Sequence, residues 1–196
     1  MYLFCNFIEN VEKSQSILVT MLKEKIKDPG SKNKLEEMLK TPHLTENCKN
    51  AVIFFLLHSV FISTAKKTTR GESGKISLKK FSIRESQNSF VLTGKTSAEL
   101  EEILSKNTTQ IQPCLLVVGE INSPKQIMVY FDSIKYVIST MIKAIEICFS
   151  IFHVFNIEYL IESGNCWFFI QQYYFKFKTS YDKPCIQWNQ TILQLK

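Results

Sequence analysis

The chain has 196 residues, of which 45% are hydrophobic and 21% charged, with a formal net charge of +6. That length and balance supply a core for one ordinary domain with an extension, or for two small modules, and they exclude a wholly disordered chain. Six cysteines occur with no C-x-x-C pair among them, which excludes the close thiolate pairs of most zinc sites and reads as reduced, buried thiols.

The amino terminus, MYLFCNFIENVEK, has no basic flank and meets Glu9 and Glu12 early. That is not the form of a secretory signal, so the expected setting is reducing and intracellular, cytoplasmic or nuclear. Ile8, Val11, Leu18, Leu22 and Ile26 recur at helical spacing and predict a helix over 8–27, stopped by Asp28-Pro29-Gly30. Leu35, Met38 and Leu39 predict a short helix over 33–40. Thr45 is placed to cap a third helix over 46–64, apolar for most of its length. Residues 1–64 thus read as a helical region.

Residues 65–86 read as a basic linker, rich in Lys, Ser, Thr and Gly and without a sustained apolar period. Between positions 66 and 84, seven cations face one acid, Glu72: Lys66, Lys67, Arg70, Lys75, Lys79, Lys80 and Arg84. Their surplus equals the net charge of the whole chain, so the remainder is neutral. These seven are the candidate phosphate contacts, able to neutralise a nucleic-acid backbone without reading its sequence. The stretch Gly71-Glu72-Ser73-Gly74-Lys75 has the look of a phosphate loop but lacks its requirements. Thr69 stands where the first glycine belongs, Ile76 stands where a magnesium-binding hydroxyl is needed, and no buried strand precedes it.

From residue 87 to 196 the pattern predicts an α+β domain, a small sheet with helices packed on one side. Ser89–Thr93 suits a strand, and Thr96 with Glu99 forms a capping box ahead of a helix over 98–106. Pro113–Gly119 is an apolar run of buried-strand type, Asn122-Ser123-Pro124 a turn, and Gln126–Phe131 and 134–138 two more strands. Ser139 or Thr140 caps a helix over 140–157 that is apolar on nearly every side, the mark of a central core helix. Ser163 or Asn165 begins another over 165–177, and the tail holds at most one closing element over 186–195. Neither long apolar stretch suits a membrane. Residues 51–64 are too few to cross a bilayer, and 137–161 carry Lys143, Glu146, His153 and Glu158.

Catalytic patterns are missing. His43, His58 and His153 show no H-E-x-x-H spacing and read as core or half-exposed side chains. No G-x-S-x-G elbow occurs. Cys148 and His153, five apart on one helix, diverge by about 140° and would not meet. The aromatic run 167–177, WFFIQQYYFKF, reads first as core. With Lys176 and Lys178 beside it, base stacking is the alternative. No catalytic residue, metal site or cofactor is indicated.

The pieces NSFVLTGKTSAELEEIL, QPCLLVVG, YFDSIKY, IKAIEICFSIFHVFNIEY and WFFIQQYYFKFKTSYDK, in that order, cover roughly residues 86–188. Together they resemble a recurrent, uncharacterised domain of insect, cnidarian and fish proteins. That domain follows Cys2His2 zinc fingers or sterile alpha motif regions in proteins of mobile-element character. The resemblance implies no catalytic or ligand-binding residue. The matching positions, Val117, Gly119, Ala144, Cys148, Phe149, Tyr159 and Trp167, read as core and turn residues, and Tyr159-Leu160 stands where the family carries Tyr-Pro. The expectation is a non-enzymatic protein-interaction domain with an unknown protein partner. The alternatives are a nucleic-acid binder using the basic linker and, more weakly, a membrane-associated protein with one apolar helix. A small-molecule substrate is not expected.

Overall fold

The computed structural model describes residues 7–70, 76–106, 112–179, 182, 191–193 and 195. Helix α1 (Phe7–Lys25) buries a stripe at helical spacing, Phe7, Val11, Ser14, Leu18, Met21 and Leu22. Asp28-Pro29-Gly30 does more than stop it. The Asp28 carboxylate accepts the Ser31 N–H at 2.8 Å and Pro29 fills the first helical position, so α2 (Pro29–Lys40) begins there rather than at 33. Thr45 caps α3 (Glu46–Val60), its hydroxyl accepting the Cys48 N–H at 3.3 Å. From Asn50 to Ser59 all of α3 but Phe55 is buried, which makes it a central helix.

Within the expected linker over 65–86, the described residues hold regular elements. Strands β1 (Lys66–Arg70) and β2 (Ile76–Lys80) pair antiparallel as a two-stranded ribbon. Helix α4 (Ile83–Asn88) follows, opened by a full capping box in which Ser82 and Glu85 satisfy each other's backbone N–H. The ribbon escapes a reading based on apolar alternation because neither strand has a buried face. Its ladder is made by backbone bonds, with the Thr69 hydroxyl bonding Ser77 across it.

Strands β3 (Val91–Gly94), β4 (Cys114–Glu120), β5 (Ser123–Phe131) and β6 (Ile134–Ile138) form one sheet in that spatial order. β3 and β4 are parallel, so the chain crosses over between them through α5 (Ser97–Lys106). The other pairs are antiparallel. Asp132 and Ser133, both with positive φ, make the two-residue turn between β5 and β6. Gly119 sits at φ +101 where the β4–β5 register shifts, and a Cβ there would lie 3.1 Å from the Ser123 carbonyl oxygen.

Pleating sends Leu115, Val117, Ile127 and Val129 into the main core, which joins α1, α3, α6 (Met141–Val154) and α7 (Gly164–Tyr173). The alternate residues Leu116, Val118 and Met128 meet Leu100 of α5 in a small second cluster on the other face. The class is α+β, with most of the helical mass on one face of the sheet. One hydrophobic cluster runs from Phe7 to Leu195, so the amino-terminal helices and the sheet share a core. Val117, Ala144, Cys148, Phe149 and Trp167 are all within it. The two long apolar stretches supply α3 and α6, and among the described residues no helix is long and apolar enough to cross a membrane.

Candidate nucleic-acid interface

The register of the ribbon decides where its cations lie. Lys66 stands opposite Lys80, Lys67 opposite Lys79, and Thr69 opposite Ser77. Cross-strand partners share a face, so one side carries Lys66, Lys80, Thr68 and Leu78 and the other Lys67, Lys79, Thr69 and Ser77. The second side is tied down. Lys67 pairs with Glu85 of α4 and its ammonium lies 5.7 Å from the centre of the Phe81 ring. Thr69 and Ser77 bond across the ladder at 2.8 Å. Donation from Lys67, with the backbone and hydroxyl of Ser82, holds the Glu85 carboxyl down at about 2.

The first side has no such anchor. Every residue of β2 is exposed, and Ile76 and Leu78 are 66% and 64% exposed, although both are large and aliphatic. Lys66, Lys79, Lys80 and Arg84 make no ion pair among the described residues. Of the seven expected cations, Lys66 and Lys80 share one face of the ribbon, Lys67 and Lys79 share the other with Lys67 committed to Glu85, and Arg84 is exposed in the first turn of α4. Arg70 is placed by its backbone as the last residue of β1. Lys75, like the rest of Gly71–Lys75, lies outside the described residues. The strand that follows this segment, β2, stands where a phosphate loop requires a helix.

A cysteine–histidine pair exists that the spacing does not reveal. His58 of α3 and Cys166 of α7 meet 108 positions apart, with Cys166 Sγ 3.3 Å from His58 Nδ1 and Ser86 Oγ 2.7 Å from the same nitrogen. All three residues are fully buried. Burial pushes the His58 imidazole down to about 3 and the Cys166 thiol well above its ordinary value. A reactive thiolate needs the opposite shift and access to substrate, so this pair is a packing contact. Cys148 is buried too, and His153 turns away from it to bond the Tyr159 hydroxyl at 2.9 Å. That hydroxyl donates to Gln171, whose amide donates to Asp182 at 2.7 Å. Among the described residues no group of three or more His, Cys, Asp or Glu side chains could hold a metal ion.

The aromatic run is mostly core, as its pattern suggests. Trp167, Phe169 and Tyr174 are buried, and Trp167 packs at 4.7 Å from Phe90 and 5.1 Å from Phe152. Tyr173 and Phe177 are half-buried at its end. No family model, curated protein or solved structure matches the chain.

Proposed function

We propose that this chain is a non-enzymatic binding module whose basic ribbon docks on the phosphate backbone of a nucleic-acid duplex. One observation carries the reading: Lys66 and Lys80 stand directly opposite each other on an exposed strand pair, with no acid on that face among the described residues. Like charges so placed destabilise a ribbon. A polyanion laid against them removes the repulsion and gains from several cations at once. A two-stranded ribbon is also a shape that the major groove of B-form DNA admits. The resemblance of residues 86–188 to a domain found beside zinc fingers is in keeping with this reading.

The test is a set of charge-neutral variants. Lys66→Gln, Lys79→Gln, Lys80→Gln and Arg84→Gln should each weaken binding to duplexes of unrelated sequence by a similar factor, and the combination should abolish it. Duplex binding that survives the combined variant would sink the proposal.

A second reading, protein association, is favoured by β6. It is one of the two edge strands of the main sheet, its one cation Lys135 is paired with Glu101, and Ile134, Tyr136 and Val137 are 51%, 46% and 66% exposed. An edge without Pro, bulge or unpaired charge is a template for an added strand. Val137→Lys should abolish a concentration-dependent rise in mass. If no such rise occurs in the parent protein, β6 is not an association edge.

A further inference from the structure

A groove of about 830 Å3 lies between α1 and the chain leaving α7. That volume falls within the range of small-molecule sites, about 300–1,000 Å3. Its apolar lining includes Ile17 on α1, Tyr173 and Phe177 opposite, and Leu193 on one side, and Asn10, Ser14 and Gln172 line it as well. Tyr174 forms its buried floor, bonded by the Ser14 hydroxyl at 3.3 Å and by Asn10, which donates to its carbonyl at 3.3 Å. Ile17 and Leu193 are 43% and 70% exposed, so the apolar walls open to solvent.

The polar rim has one sign. Lys13, Lys176 and Lys178 line the groove, and among the described residues no carboxylate does. Lys13 shares its charge with Glu9 one turn away. Lys176 and Lys178 make no ion pair among the described residues. Lys176 is held at φ +56, a left-handed conformation that ends the run from α7 and turns the chain along the groove.

We infer that this groove binds an amphiphile with a single long apolar chain and an anionic head. The chain would lie along Ile17, Tyr173, Phe177 and Leu193. The head, a carboxylate or a phosphate monoester, would meet Lys176 and Lys178. The ligand is bound and not turned over, which keeps the site apart from the ribbon and its partner.

Titration of the full chain with oleate, 1-oleoyl lysophosphatidate and neutral oleyl alcohol, each below its micelle concentration and followed by calorimetry, tests this. At least one anionic probe should bind at 1:1, and the alcohol should bind about tenfold more weakly or worse, the anionic probe of higher affinity identifying the head. Lys176→Gln with Lys178→Gln should remove that preference without removing binding of the chain. Ile17→Asp, at a position exposed enough to leave the fold intact, should abolish binding of both. Equal affinity for alcohol and anion, or no binding by either anion at about 100 µM, overturns the inference.

Discussion

Lowering the pH from 7 to 5 should destabilise this protein chiefly through one side chain, His58. Its ring is fully buried on α3, and burial holds its pKa near 3 against an ordinary value of 6.5. Below pH 6.5 the unfolded chain therefore takes up a proton that the folded chain refuses. Stability from this group is complete above the ordinary value and is lost as pH falls toward the folded one. Each pH unit within that window costs about 1.4 kcal/mol, and the interval from 7 to 5 costs about 2 kcal/mol because its upper part lies above the ordinary value. His153, half-buried and also lowered by burial, adds a smaller part in the same direction. Urea unfolding at both pH values reads the difference. His58→Gln can still bond Ser86 and has no proton to gain, so most of the loss should vanish in it. A loss of the same size in the variant, or none in the parent, would refute the assignment of His58 as a buried neutral ring.

Lys80→Glu should convert the repulsive pair with Lys66 into an attractive one and slow hydrogen exchange of the ribbon amides by about two- to tenfold. The same variant should bind duplex DNA more weakly, and faster exchange would show that the pair is not strained. Phe149→Ala should lower unfolding free energy by about 3–5 kcal/mol in urea, since Phe149 is fully buried and stacks on Phe175 at 3.8 Å. A cost under about 1 kcal/mol would mean the ring stack is not part of the core. Cys148 and Cys166 should react with Ellman's reagent only after unfolding, because both thiols are buried and pushed well above their ordinary pKa. Rapid native labelling of Cys166 would reopen the case for a reactive pair with His58.

The helices and the inner strands were legible because their apolar residues follow the periods of 3.6 and 2. Thr45 and Thr140 cap where their positions suggest, and β6 runs over 134–138 as read. Thr96 accepts the Glu99 N–H, but Glu99 reaches back to Lys95 rather than to Thr96. The helix over 165–177 stops at Tyr173, and Lys176 in a left-handed conformation marks where the chain has left it. The ribbon was not legible, since Lys-Lys-Thr-Thr-Arg offers no buried side from which to read alternation. Its neighbour α4 could have been found: Ser82-Ile83-Arg84-Glu85 carries the capping-box signature within the segment read as linker. The cations of the candidate interface were visible in composition, whereas their opposition across a ladder is a matter of register. Contacts such as His58 with Cys166, and the parallel pairing of β3 with β4, join distant segments and leave no local trace.

The most direct test of the central claim is the affinity of the whole chain for a fluorescent DNA duplex, read by anisotropy, between about 50 and 200 mM salt. Lys66, Lys79, Lys80 and Arg84, if each neutralises one phosphate, give a slope of log affinity against log salt near −3.6, or a loss of about 150-fold over that range. A ribbon that binds no duplex at about 50 mM salt, or binds with an affinity indifferent to salt, would contradict the account.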